Sequence, residues 1–201
     1  MAKQGAKGVN QTAVFPLVLI KDPYHWANSQ CRHRYFRWAH DPAHCPNIVD
    51  WQSHKPAKAN VGYALGSVWY TSLVKLWNDW YNEYERQGAH FPLAHLRYED
   101  LLFHAEDTVT QLCDCVGGRR RGRGRRRDDD KFRYPKESVK LGLKGHKGGT
   151  SGLLDAIIRY GDPNMRLEGW TQRDWQYSAD NLDQGLMDKY GYSMAAYPAN
   201  P

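Results

Sequence analysis

The stretch VFPLVLI at residues 14–20, followed at once by KDP at residues 21–23, decides the fold class. The first stretch is short, continuous and rich in β-branched residues, a pattern typical of a strand buried on both faces. Asp22 suits the N-cap of a helix because its carboxylate accepts backbone N–H groups, and Pro23 suits the first helical position. We therefore predict a strand that ends at Lys21 and passes directly into a helix running towards Trp38.

The rest of the chain alternates between helix and strand signals. Residues 41–66 are rich in Pro, Asn and Ser and predict a long loop, and apolar residues then recur at helical spacing from Val68 to Tyr84. Further along the chain we predict a strand over Phe91–Leu96, a helix through Val109–Val116 closed by glycine, a Gly-rich loop over Gly142–Gly152, and helices over Leu153–Arg159 and Arg173–Lys189.

This order of elements predicts a three-layer α/β fold in which a parallel sheet is flanked by helices. We expect the domain to occupy residues 13–192, with a disordered segment at residues 1–12 and a short tail at residues 193–201. Residues 117–131, GGRRRGRGRRRDDDK, are of low complexity. We expect a solvated insertion there, because like charges repel one another and glycine raises the backbone entropy.

The amino-acid composition excludes several classes of protein. The 201 residues are 41% hydrophobic and include 8 Trp and 13 Tyr, which is enough to bury a core and excludes a wholly disordered chain. No apolar run approaches the roughly 18 residues of a membrane helix, and residues 1–12 lack the apolar stretch of a secretory signal. These features do not determine the cellular compartment of the protein.

Lys21 and Ser29 form the first candidate site. Lys21 leaves the strand where a helix begins, and the unpaired N–H groups and positive dipole end of a helix favour an anion. The hydroxyl of Ser29, two helical turns later, can reach the same anion. The alternative is an ordinary strand end with a solvated lysine and a helical serine.

The segment IKDPYHWANSQCRHRY at residues 20–35 resembles the 3′-phosphate-binding segment of sulfotransferases. These enzymes transfer a sulfuryl group from 3′-phosphoadenosine-5′-phosphosulfate (PAPS) to a hydroxyl or an amine. In the family a basic residue ends the strand and a serine follows eight positions later, so the resemblance assigns Lys21 and Ser29 to the 3′-phosphate of PAPS. The family usually has arginine at the first position, and the lysine here keeps the charge but loses the bidentate geometry.

The segment FPLAHLRYEDLLFHAEDTVTQLCDCVGG at residues 91–118 resembles the family's strand ending in RYEDL and the helix that follows it. In the family the tyrosine of this motif lies near the adenine, which assigns Tyr98. A ring at the end of a strand also offers a flat face to a purine. The other interpretation of Tyr98 is a core aromatic packed under the next helix. We expect Arg97, Glu99 and Asp100 to make local caps and ion pairs.

The segment KGHKG at residues 144–148 resembles the family's KGxxG loop, which closes over the nucleotide and touches the 3′-phosphate. The resemblance therefore assigns Lys144 and Gly145 to nucleotide binding. Glycines let backbone N–H groups approach an anion closely. The arginine that usually precedes this loop is Leu143 here, and the usual Asp-Trp after it is Gly149-Thr150. A flexible loop is the alternative.

The family's first phosphate loop, which lies between a strand and a helix, has no counterpart that we can assign. That loop holds the 5′-phosphosulfate and neutralises charge on the leaving group. Residues 5–12, GAKGVNQT, leave no room for the strand and helix. We therefore expect a truncated enzyme, or a member that binds PAPS without transferring its sulfuryl group to a saccharide or small-molecule acceptor. No catalytic base is assigned and no metal is expected.

Two other functions fit parts of the sequence. The arginine run could hold nucleic-acid phosphates, but the stretch from Arg119 to Asp130 accounts for +4 of the net charge of +6, and the rest of the chain is nearly neutral. A nucleic-acid role is therefore the less favoured alternative. A metal site is also less favoured, since its candidate ligands match no zinc spacing: Cys31, His33, His40, His44 and Cys45. A Cys31–Cys45 disulfide, or free thiols, fits better.

Overall fold

The computed structural model describes residues 14–33, 37–38, 42–63, 65–118 and 153–197. The segment at residues 1–12 predicted to be disordered, most of the predicted insertion, and the loop with Lys144 and Gly145 lie outside the described residues. The described part is a mixed α/β structure in which a small parallel sheet is flanked by helices.

The strands and helices follow one another as β1 Leu17–Ile20, α1 Pro23–His33, β2 Arg37–Trp38, β3 Ala59–Tyr63, β4 Gly66–Tyr70, α2 Leu73–Gly88, β5 Ala94–Arg97, α3 Tyr98–Phe103, α4 Ala105–Cys115, α5 Leu153–Gly161, α6 Pro163–Arg166, α7 Gln172–Asn181 and α8 Gln184–Lys189. A short 3-10 turn, Pro42–His44, lies between β2 and β3. Among these helices, none combines the length and the apolar composition needed to cross a membrane.

Strands β1 and β5 pair in parallel, with Leu17 opposite Ala94 and Ile20 opposite Arg97. The predicted parallel pairing of the two strands is therefore confirmed. Because both strands run in the same direction and end in register, the next residue of each chain segment leaves the same edge of the sheet. Those two residues are Lys21 and Tyr98.

The prediction that β1 is buried on both faces is wrong. Val18 and Ile20 are buried, whereas Leu17 and Leu19 are 50% and 51% exposed. Successive side chains of a strand point to opposite faces of the sheet, so this alternation means that one face of β1 packs into the core and the other stays open. The apolar run thus predicted the strand correctly, but it did not predict that only one face of the strand is buried.

Helix α2 is the central element of the core. Ser72 caps it by accepting a hydrogen bond from the backbone N–H of Lys75 at 3.0 Å, and its buried face carries Leu73, Val74, Leu76, Trp77 and Tyr81. Two of these side chains also hold the end of β1. Trp77 Nε1 donates to the carbonyl of Lys21 at 3.2 Å, and the Tyr81 hydroxyl donates to the carbonyl of Leu19 at 3.3 Å.

Several element boundaries differ from the prediction. Helix α1 ends at His33 instead of running towards Trp38, which lies in β2. The region predicted as a long loop contains β3, which pairs antiparallel with β4, and Val68 belongs to β4 instead of α2. The β-branched and aromatic residues of the two strands favour this hairpin over a loop.

The predicted helix over Arg173–Lys189 is two helices, α7 and α8. The chain is extended at Leu182 (φ −65°, ψ 137°), and the Asp183 carboxylate then caps α8 by accepting from the backbone N–H of Leu186. Apolar periodicity continues across this break, which explains why the pattern predicted one helix. At the start of α7, Thr171 and Asp174 form a reciprocal capping box.

Cysteines 31 and 45 form a disulfide that joins α1 to the 3-10 turn region. This is one of the two outcomes expected for these residues, and it leaves neither sulfur available to a metal. Cys113 and Cys115 are free thiols, of which Cys115 is exposed.

Candidate functional site

Lys21 and Tyr98 meet at the carboxyl edge of the β1–β5 pair. The Nζ atom of Lys21 lies 5.0 Å from the centre of the Tyr98 ring. Tyr98 is the first residue of α3 and directly follows β5, just as Lys21 directly follows β1. Because the two strands end in register, they fix the backbone at both residues. The structure therefore brings the two residues predicted from separate motifs into one contact.

Tyr160 of α5 is the third member of this cluster. Its ring centre lies 4.7 Å from Lys21 Nζ and 5.0 Å from the centre of the Tyr98 ring. Sequence reasoning placed a helix over Leu153–Arg159 but gave Tyr160 no role, since the only signal was an aromatic residue at the end of that helix.

Burial has the largest effect on the pKa of the Lys21 ammonium. Removal from water lowers the pKa of Lys21 to about 8, although the nearby carboxylates of Glu99 and Asp22 act in the opposite direction. Within the described part of the chain, the ammonium has ring contacts but no hydrogen-bond or ion-pair partner. A desolvated cation in this state gains more from an arriving anion than a solvated lysine does.

Asp22 occupies the start of α1. Its Oδ1 atom accepts hydrogen bonds from the backbone N–H groups of Tyr24 at 3.0 Å and His25 at 3.2 Å, and Arg166 pairs with its Oδ2. The predicted N-cap is confirmed, but the expectation that unpaired N–H groups there favour an anion is wrong at these two positions. Anion binding at this edge therefore relies on side chains.

Ser29 lies on a flank of α1 that faces the same neighbourhood. Residues three and four apart share a helix face, so Ser29 stands between His25 and Arg32. His25 packs against the Tyr160 ring with the ring centres 4.5 Å apart, and Arg32 pairs with Glu168 at 2.7 Å. Ser29 is partly buried, and its position along this flank is consistent with a ligand that extends from Lys21 along α1.

His25 is a neutral neighbour of the cluster at physiological pH. It is buried, and desolvation lowers its pKa to about 4, with the charges of Lys21, Arg166 and Arg159 acting in the same direction and Asp22 against it. His25 therefore adds no positive charge beside Lys21 near pH 7.

Glu99 and Arg97 have structural partners, as expected for the residues around Tyr98. The Glu99 carboxylate accepts from the backbone N–H of Asp22 at 3.1 Å and from the Tyr192 hydroxyl at 2.9 Å. The Arg97 guanidinium lies 4.8 Å from the centre of the Tyr192 ring and 3.9 Å from the carboxylate of Asp100. These contacts fix the strand end and the start of α3.

A cavity of about 820 Å³ lies along the outer edge of β5. It is lined by residues of β5, α4 and the end of α8, including Arg97, Thr108, Gln111 and Lys189. Its volume is in the range of pockets that hold small organic ligands. Because Arg97 is the last residue of β5, the cavity reaches the same carboxyl end of the sheet from which Tyr98 departs.

In the described ranges, no three His, Cys, Asp or Glu side chains are grouped to hold a metal ion. Lys144 and Gly145, also assigned from the sequence, lie outside those ranges. Comparisons with protein-family models, with curated proteins and with solved structures give no match for this chain.

Proposed function

We propose that this chain is a donor-binding domain of the sulfotransferase type, with the corresponding three-layer fold, and that it binds the adenosine 3′-phosphate part of PAPS. Lys21 and Ser29 hold the 3′-phosphate, and Tyr98 contacts the adenine. The observation that carries this proposal is the 5.0 Å contact between the Lys21 ammonium and the Tyr98 ring at the shared edge of β1 and β5. It brings a cation and an aromatic face within the span of one nucleotide.

The state of Lys21 supports the phosphate assignment. Its ammonium is desolvated and lacks an ion-pair partner in the described residues, so a phosphate there forms a charge-assisted hydrogen bond without first displacing a carboxylate from it. The carboxylates of Glu99 and Asp22 are held by other donors. Ser29 adds a hydroxyl donor on the adjacent flank of α1.

The arrangement of the two rings supports Tyr98 as the adenine contact. The Tyr98 and Tyr160 planes are inclined at 55°, so they do not form a parallel sandwich around a base. Tyr98 is partly exposed, which leaves part of its ring for offset stacking with a purine. Tyr160 packs against both Lys21 and Tyr98 and holds them in place.

Donor binding is the first half of sulfuryl transfer, and the acceptor in this proposal is a hydroxyl or amine of a saccharide or small molecule. The described residues supply cations and a stacking ring for the donor. None of them is assigned as the base that activates the acceptor.

Isothermal titration with adenosine 3′-monophosphate and adenosine 5′-monophosphate tests the proposal. Lys21→Met keeps the apolar stem and removes the charge, and we expect it to weaken binding of the 3′-phosphate by about 1–3 kcal/mol. Lys75→Met is the matched control, because Lys75 is an exposed lysine paired with Asp79 on α2. Equal affinities for the two nucleotides, or equal effects of the two variants, would contradict the proposal.

A further inference from the structure

Two arginines converge on one carboxylate beside the proposed donor site. Arg32 of α1 and Arg159 of α5 both donate through Nη2 to the same oxygen, Oε2 of Glu168. The Arg32 contact measures 2.7 Å. Arg159 and Glu168 are only nine residues apart, but Arg32 lies 136 residues from Glu168, so folding is what completes the cluster.

The cluster belongs to the same electrostatic neighbourhood as Lys21. Arg159 directly precedes Tyr160, whose ring contacts the Lys21 ammonium. Arg32 lies one helical turn after Ser29 on the same flank of α1. Both guanidinium groups also contribute to lowering the pKa of Lys21. The cations of the cluster therefore extend the positive region from Lys21 along α1.

The charges within the cluster do not balance. Two guanidinium groups share one carboxylate, which leaves one positive charge in excess. The side chains of Arg32, Glu168 and Arg159 are 35%, 40% and 27% exposed, so an ion from solvent can reach them. Two guanidinium groups on one oxyanion is the arrangement with which proteins hold a phosphate oxygen.

The backbone of Glu168 is held independently of its side chain. Asn28 Nδ2 donates to the carbonyl of Glu168 at 3.1 Å, and the backbone N–H of Glu168 donates to the carbonyl of Met165. The Glu168 side chain can therefore rotate away from the arginines without displacing the chain on which it stands.

We infer that Arg32 and Arg159 form a second anion subsite, that the Glu168 carboxylate fills it in the unliganded protein, and that it takes the second phosphate of a bisphosphorylated ligand. As a donor subsite this inference rests on the proposed function, with the first phosphate at Lys21. Glu168 then competes with the ligand, so it reduces affinity for bisphosphates more than for monophosphates.

The test is titration of wild type and variants with two probes, adenosine 3′,5′-bisphosphate and inorganic pyrophosphate. We expect Glu168→Gln to tighten binding of both probes by about tenfold and Arg32→Gln to weaken it by about tenfold. Glu83→Gln is the matched control, since it removes the same charge from an exposed carboxylate paired with Arg86 on its own helix. Thermal melting confirms that each variant is folded.

The outcomes separate this inference from the proposed function. If the bisphosphate binds but Glu168→Gln leaves both affinities unchanged or weaker, the subsite is overturned and the proposed function stands. If no adenosine phosphate binds but Glu168→Gln still tightens pyrophosphate, the subsite stands and the proposed function is contradicted. An equal gain from Glu83→Gln means a general charge effect and overturns the subsite.

Discussion

Arg166 donates from Nε to the carboxylate of Asp22 at 2.9 Å, across 144 residues of sequence. The two side chains are 19% and 7% exposed, so the pair is largely removed from water. Asp22 also caps α1 through the backbone N–H groups of Tyr24 and His25. This one carboxylate therefore fixes the start of α1, next to Lys21, against α6.

Removing the arginine leaves the Asp22 carboxylate buried without its counter-charge. We expect Arg166→Met to lower the free energy of unfolding by about 3–5 kcal/mol, measured by urea denaturation. Adding Asp22→Asn to this variant should restore part of the loss, because the buried charge is then gone. A loss below about 1 kcal/mol, the range of an exposed pair, would show that the two groups are solvated.

Acid should destabilise the protein through His25. Its pKa is about 4 in the folded chain, against an ordinary value of 6.5. Between these values the unfolded chain binds more protons, so stability falls as the pH falls from about 6.5 to about 4. The linked loss is on the order of 3 kcal/mol, and urea denaturation at several pH values measures it.

His25→Phe keeps a ring against Tyr160 and removes the titrating group. We expect this variant to lose less stability on acidification than wild type, by an amount similar to the linked loss. His90→Gln, a change at an exposed histidine after α2, is the control. If the free energy of unfolding falls equally with pH in wild type and in His25→Phe, His25 is not the source of the acid destabilisation.

The Cys31–Cys45 disulfide should contribute measurably to stability. It closes a segment with a sequence separation of 14, and a loop of that length stabilises the folded state by about 3 kcal/mol in the chain-entropy account. We expect the paired change Cys31→Ser and Cys45→Ser to lower the free energy of unfolding by that amount. Reducing agent should have the same effect on wild type and none on the double variant, whereas Cys113→Ser should behave like wild type.

The local part of the site could be predicted from sequence. The abrupt change from an apolar run to Lys21-Asp22-Pro23 gave the end of β1 and the start of α1, and two parallel strands in register require Lys21 and Tyr98 to leave the same edge. These inferences depend only on neighbouring residues and on the geometry of parallel strands. For that reason they held in the structure.

The parts that depend on distant packing could not be predicted. Tyr160 reaches Lys21 only because α5 packs on α3, and Arg32 lies 136 residues from Glu168 in sequence. No spacing rule joins residues so far apart. The β3–β4 hairpin was missed for another reason. The Gly and Asn residues of β3 weaken its strand pattern and resemble the loop before it, and Val68 of β4 was counted with the apolar residues of the helix that follows.

The pH dependence of binding tests the central claim, because it asks whether a phosphate is held by Lys21. A lysine with a pKa of about 8 loses its charge as the pH rises from 7 to 9.5, while the phosphate, with a second pKa of about 6, stays a dianion. Titration with adenosine 3′-monophosphate should show an affinity that falls above pH 8, by up to about tenfold per pH unit, and a Lys21→Met variant with no such fall. An affinity that stays constant across this range in wild type, or one that falls equally in Lys21→Met, would contradict the assignment.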